Sequence, residues 1–318
     1  MRFYVMLEPQ EGLSYDDILA VAQHAERLGF HGLYRSDHYT SVAGEDRLHS
    51  TDAWATLAGL ARETERLTLG TLVTPVTFRR VGNLAKLTTT VADMAGALDG
   101  ESRLHVGFGT GWLEAEHREF GFPFEELSTR FRRLEEHLRV VRGMWTSSEE
   151  AFSFSGDFEQ VEDARLCPRP EPLPKVIVGG AGLEKTPTLA ARYADELNVP
   201  FQDVGGCQER RTALDRACER DDRDPADVAF SLMTGCVVGA TEEEYTARRD
   251  RLCERTQQDP DEWLEHMGER FVRGSPEQAV DRLGKLAEAG VEAVMLQHLL
   301  VDDPEMLDLV MEEIAPRL

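Results

Sequence analysis

Lysine is scarce in this chain: Lys86, Lys175, Lys185 and Lys285 are all there are among 35 basic residues, against 59 acidic ones. The net charge of −24 leaves no basic footprint, so neither nucleic acid nor an anionic membrane surface is expected as a partner. The arginine bias fits a high-GC genome, and the acid reads as a solvated surface. The 5 cysteines (Cys167, Cys207, Cys218, Cys236, Cys253) are odd in number and form no CxxC pair, as reduced thiols do. There is no HExxH. Glu114 and His117 make one E-x-x-H pair, but a di-metal site needs a second copy on another helix, so no metal is expected. GxSxG and GxxxxGK[ST] are both missing, and GFGTGW lacks the last glycine of GxGxxG. A Schiff-base aldolase lacks its lysine, since only Lys175 and Lys185 lie near a strand. No apolar run approaches the roughly 20 residues of a bilayer span. MRFYVMLEPQ has no sustained apolar region, so a signal peptide is not expected and a cytoplasmic protein is.

What is present is alternation. Phe3–Leu7, Gly32–Arg35, Leu67–Val73, Leu104–Phe108, 175–179, 195–199, 228–237 and 291–297 read as strands. Helical stretches separate them, including Tyr15–Leu28 (capped by Ser14 and closed by Gly29), Asp52–Glu65, Val81–Leu98 and Ser128–Trp145. Phe131, Leu134, Leu138, Val141 and Trp145 form a core-facing stripe on the last. Phe152 to Phe158 alternates around a Gly-Asp turn and is followed by a Pro-rich link, so about 150–174 reads as an insertion with a small hairpin. Eight strands, mostly followed by helices, predict one α/β domain over 1–318, a (β/α)8 TIM barrel with insertions.

In such a barrel the reactive groups collect at the C-terminal strand ends. Those ends carry Glu8 and Gln10, Asp37 and His38, Thr71 to Val76, Gly109 to Trp112, Gly179 to Gly182, Asn198, and Gln297 with His298. RLHVGFGTGWLEAEH breaks a strand at Gly109-Thr110-Gly111 and predicts a helix from Trp112. Gly179-Gly180-Ala181-Gly182 is a second junction of that kind. Glycines there admit a ligand close to the backbone, and helix N–H groups favour an anion. His38 alone among strand-end histidines has an acid beside it in sequence, which makes it the candidate proton donor or acceptor.

These residues also carry a resemblance. FYVMLEPQEGLSYDD, AERLGF…YRSDHY, LGTLVTPVTFR, RLHVGFGTGWLEAEHREFGFPF, RFRRLEEHL, KVIVGGAG…LAARYADELN and GSPEQAVDRL span nearly the whole chain. Together they resemble the luciferase-like superfamily of flavin and deazaflavin oxidoreductases, especially its coenzyme F420-dependent branch.

The resemblance implies a cofactor across the strand C-termini, supported by a non-prolyl cis peptide that falls by position at Leu72-Val73. It places the phosphate tail on the two Gly-rich turns (Gly109, Thr110, Gly111 and Gly179, Gly180, Ala181, Gly182) near Lys185. Asp37 would contact the ring and orient His38, and His38 would sit beside the reactive carbon. Glu8, Gln10, Trp112, Asn198 and Gln297 are the implied substrate pocket. Hydride transfer to or from a small carbonyl, imine or activated alkene follows, in a homodimer. The deazaflavin-dependent sugar-phosphate dehydrogenases carry Gly-Thr-Gly-Glu where this chain has Gly109-Thr110-Gly111-Trp112. An indole moves no proton but walls off apolar space, which argues against a sugar phosphate. The alternatives are an FMN-dependent two-component monooxygenase and a catalytically inert flavin-binding protein.

Overall fold

The computed structural model describes residues 1–42, 48–147 and 151–318. Eight parallel strands among them form a closed ring: β1 (Arg2–Leu7), β2 (Gly32–Arg35), β3 (Thr68–Pro75), β4 (Leu104–Gly109), β5 (Lys175–Gly179), β6 (Glu196–Pro200), β7 (Ala229–Val238) and β8 (Ala293–Gln297). The ring runs β6-β5-β4-β3-β2-β1-β8-β7 and closes through β7 against β6.

Helices wrap it: α1 (Tyr15–Leu28), α2 (Ala53–Glu63), α3 (Val81–Ala95), α4 (Glu114–Phe120), α5 (Leu127–Thr146), α6 (Lys185–Tyr193), α7 (Val204–Arg220), α8 (Glu242–Arg255), α9 (Pro260–Met267), α10 (Pro276–Glu288) and α11 (Glu305–Leu309). Local sequence sets their ends. Ser14 and Asp17 make a capping box at the start of α1, and Gly29 closes it at φ +88°. Ser275 and Gln278 do the same for α10.

The strand period of two sorts the side chains into two layers. Phe3, Val5 and Leu7, Leu33, Val106 and Phe108, Val176 and Val178, Leu197 and Val199 face the helices and build the main core. Tyr4, Met6, Tyr34, Leu72, Ile177, Ala293 and Met295 fill the barrel interior. The same parity, followed to the strand ends and just beyond them, points Glu8, His38 and Gln297 into the mouth. It points Asp37 and His298 outward, under the helices.

Two local expectations change. The third strand runs on to Pro75 because its pairing with β4 slips between Thr71 and Thr74, where the Leu72-Val73 peptide is cis. The helix expected from Trp112 begins at Glu114: Gly111 at φ +77° turns the chain, and Leu113 occupies the position before the first helical residue. The expected hairpin is present as Phe152–Ser155 paired with Gln160–Ala164. It is pinned to α5 by the buried Glu136, whose carboxylate accepts the N–H groups of Asp157, Phe158 and Glu159. The expected start of this insertion near 150 lies outside the described residues.

Candidate active site

His38 stands at the mouth, just past β2. Its Nδ1–H donates to Glu116 on α4 at 2.9 Å, and the same carboxylate accepts the Tyr39 N–H at 2.9 Å. Glu116 is fully buried, so its charge is held by these donors and little water. Burial alone would lower the His38 pKa. The hydrogen bond and charge of Glu116, with Glu8 and Asp37 behind, outweigh it, and the net shift is upward. Among the described residues Nε2 has no partner, and it is the nitrogen left for a ligand. Trp112 stands edge-on to the imidazole at 5.6 Å between ring centroids and is 61% exposed. It therefore flanks His38 on the solvent side, where the sequence had suggested the wall of an enclosed pocket.

Asp37 does not orient His38. Its parity turns it outward, where Arg79 holds it at 2.5 Å and the Thr74 hydroxyl donates to it at 2.8 Å. Arg79 also reaches Asp52, the N-cap of α2, at 2.7 Å. The triad ties β2, the end of β3 and α2 together beneath the rim, and Asp37 is only 2% exposed. Orientation of His38 falls to Glu116.

Glu8 is held by amides. Gln297 donates to one oxygen at 2.7 Å and Gln10 to the other at 2.9 Å, while Gln10 accepts the Ser36 hydroxyl at 2.6 Å. No ion pair to Glu8 is present among the described residues, and its charge acts on both His38 and Arg35. Asn198 lies across the mouth on β6, next to Gly179 in register.

The Gly-rich strand ends have a packing task first. A Cβ on Gly109 would lie 2.5 Å from Val73 Cγ2, and one on Gly179 would lie 2.7 Å from Val73 Cγ1. Gly107, one inward position below Gly109, would clash with Val73 at 2.8 Å and with the Thr71 carbonyl at 2.2 Å. Three glycines on two neighbouring strands thus clear the space into which the cis turn drops Val73, and Leu72-Val73 becomes a raised apolar seat in the mouth. Thr110 and Gly111 lie beyond it; Arg130 donates to the Gly111 carbonyl, so that turn is clamped from α5. On the other side Gly180, Ala181 and Gly182 form an open stretch leading to α6. Glu184 makes no side-chain cap there, and Arg210 holds the Ala181 carbonyl at 3.0 Å. Lys185 is exposed at the first turn of α6, its ammonium 5.2 Å from the Phe131 ring centroid.

Glu116 and the Arg79 clamp escaped the sequence reading. Glu116 sits one residue before His117, inside the segment read as an E-x-x-H pair, so attention fell on the wrong acid. His117 itself is spent: Nδ1–H donates to the Leu113 carbonyl and Nε2 accepts from Thr77, both at 2.7 Å. His298 is outside the site, buried under the helices, with its pKa pushed down by burial to about 4.

A profile of the luciferase-like monooxygenase family matches residues 1–308. The chain is 28% identical over 317 residues to an F420-dependent glucose-6-phosphate dehydrogenase of Intrasporangium calvum, covering 92% of each protein. It is 32% identical over 179 residues to an FMNH2-dependent dimethylsulfone monooxygenase of Pseudomonas putida, covering 55% of this chain and 46% of that one. Its fold superposes on an F420-dependent secondary alcohol dehydrogenase, solved with an F420–acetone adduct, with a TM-score of 0.83 at 20% identity over 99% of this chain and 98% of that one. By barrel, by the cis turn in its third strand and by its match over nearly the whole sequence, the chain belongs to the luciferase-like monooxygenase family.

Proposed function

We propose that this protein is a coenzyme F420-dependent oxidoreductase acting on a small carbonyl, imine or activated alkene. The observation that carries the reading is His38, locked at Nδ1 by a buried carboxylate, with no partner at Nε2 among the described residues and at the same barrel mouth as the Leu72-Val73 seat. A flat tricyclic ring fits that seat, since three glycines are given up to raise it. An anionic tail fits the open Gly180–Gly182 stretch, where the first turn of α6 lacks a side-chain cap and carries Lys185. The relatives that match the chain nearly end to end support the deazaflavin over FMN.

The bound deazaflavin supplies a two-electron hydride donor or acceptor. The chain does the rest. His38 Nε2 holds the proton that the substrate gains as hydride is added, and receives it in the reverse direction. Glu116 fixes the ring and stabilises the charged form; Glu8 adds negative potential on the other side. Arg35 and Arg79 lie behind the rim, under the helices, and are already spent. Arg35 donates to Thr51, Thr56 and the Ser36 carbonyl, and Arg79 to Asp37 and Asp52. With Trp112 in place of a carboxylate and these cations engaged, a neutral substrate is favoured over a sugar phosphate.

Titrating the purified protein with F420 and with FMN, followed by absorbance, tests the cofactor. FMN binding without F420 binding would replace this reading with the monooxygenase. Reductase assays with carbonyl, imine and activated-alkene panels, with glucose 6-phosphate as the contrasting arm, test the substrate class. Efficient turnover of glucose 6-phosphate would end the argument from Trp112.

A further inference from the structure

Asn198 faces the barrel mouth, and its amide is not free to turn. Nδ2 donates to the Ser231 hydroxyl oxygen at 2.8 Å, and Ser231 donates to Glu196 at 2.5 Å. Glu196 and Asn198 are two apart on β6 and so share the inward face, and Ser231 on β7 is the register partner of Asn198. The three side chains stack from mid-barrel toward the mouth. Glu196 and Asn198 are 2% and 3% exposed, and Ser231 is fully buried.

The polarity follows from counting protons. Serine has one hydroxyl proton, and it is given to Glu196 Oε1, which accepts it; burial raises the Glu196 pKa and this hydrogen bond lowers it. The serine oxygen then accepts from the Asn198 NH2. The remaining contact of that NH2 is the Met295 sulfur at 3.5 Å. Both amide protons are thereby directed into the barrel wall. The carbonyl Oδ1 has no hydrogen-bond partner among the described residues.

We infer that Glu196 and Ser231 are positioning residues that hold Asn198 with only an acceptor toward the ligand, so that the group meeting it there is a donor, a ring N–H or a hydroxyl. The inference deepens the functional proposal and rests on it for the identity of the ligand. It separates two ligand edges of the same shape. One presenting N–H or O–H is accepted, and one presenting a bare carbonyl or an N-alkyl group leaves Oδ1 buried and unpaired, which costs more than a missing hydrogen bond between exposed groups.

F420 affinity, measured by fluorescence with the thermal midpoint of each variant as a fold control, tests it. Asn198→Leu is expected to weaken binding about tenfold and Ser231→Ala about three- to tenfold, the range set by one hydrogen bond. Because Ser231 acts through Asn198, the double variant should match Asn198→Leu alone. Glu196→Leu should weaken binding in the same direction as Ser231→Ala and add nothing to it. Unchanged affinity in Ser231→Ala, or a Ser231→Ala loss that persists in full on the Asn198→Leu background, overturns the relay. A second readout needs no ligand. Side-chain amide exchange by NMR should be slow at Asn198 in the wild type and faster in Ser231→Ala; fast exchange in the wild type rejects the lock. Failure of the wild type to bind F420 would instead count against the cofactor reading and leave the exchange result to decide the relay.

Discussion

His38 and His105 both face the inside of this barrel, one at its mouth and one near its floor, and their surroundings drive them apart. His105 is buried, accepts the Tyr34 hydroxyl at 2.6 Å, and has its pKa lowered to about 3 by burial and by the charges of Lys175 and Arg2. His38 is pushed the other way by Glu116. The floor also holds a cavity of about 470 Å³, lined by Arg2, Tyr4, His31, Arg66, His105 and Lys175 among others. Size does not make it the site. Two of its cations are already engaged: Lys175 pairs with Glu101 at 2.7 Å, and Arg66 donates to the Glu26 carbonyl at the C-terminal end of α1. At the mouth, His38 Nε2, the Glu8 carboxylate and Asn198 Oδ1 are held firmly yet keep an unspent valence. Chemistry needs the second condition as much as the first.

Removing the mouth histidine gives the largest effect. His38→Ala should lower kcat with the preferred substrate about 10²–10⁴-fold, the usual yield of a positioned acid or base, with F420 affinity little changed. Steady-state rates and a separate F420 titration check this, and a variant retaining wild-type kcat would remove His38 as the proton carrier.

Glu116→Gln keeps the geometry but removes the charge that raises the His38 pKa. In the reductive direction His38 must be protonated, so the rate falls as pH rises through its folded pKa. The variant should move that alkaline limb to lower pH and cut kcat about tenfold at neutral pH. A pH–rate profile with an unmoved limb contradicts the pairing. The linked stability has the same sign: the His38–Glu116 contribution is present below the unfolded histidine pKa and is lost as pH rises through the higher folded one.

Gly179→Ala places a Cβ 2.7 Å from Val73 Cγ1. It should destabilise the protein by about 1–3 kcal/mol, the range for overpacking, and weaken F420 binding. Val73→Ala in the same chain should restore much of the melting temperature, and no rescue would mean the glycine serves something other than the seat.

The floor gives the smallest effect. Tyr34→Phe should cost about 1 kcal/mol and leave kcat unchanged. There the pH sign is opposite to that of His38. His105 is neutral when folded and protonates more readily unfolded, so its contribution is whole above about pH 6.5 and is lost as pH falls toward about 3. Melting curves across that range, compared between the wild type and His105→Phe, read the difference directly; equal acid sensitivity would refute the assignment.

The barrel was legible because its signals are local and periodic. Alternating residues in Phe3–Leu7 and Leu104–Phe108, Ser14 before an apolar stripe, and Gly29 after it each state an element within a few residues. Parity was legible too, and followed to the strand ends and just beyond them it would have placed Glu8, His38 and Gln297 inside and Asp37 outside. Asp37 was misread as the partner of His38 because adjacency in a strand-like segment means opposite faces. Glu116 was missed for a different reason: it lies 78 residues from His38, and no spacing rule joins a β2 end to the third residue of α4, in that helix's first turn.

By itself the sequence determined eight βα units, the strand ends that line the mouth, the family resemblance and the acidic surface, since each is set by pattern or by composition. Tertiary structure alone decided which acid holds His38, that Gly107, Gly109 and Gly179 make room for Val73, and which way the Asn198 amide points. Those outcomes depend on contacts between strands and helices distant in the chain, where a distance of 2.5 Å or 2.9 Å separates a partner from a bystander and no periodicity records it.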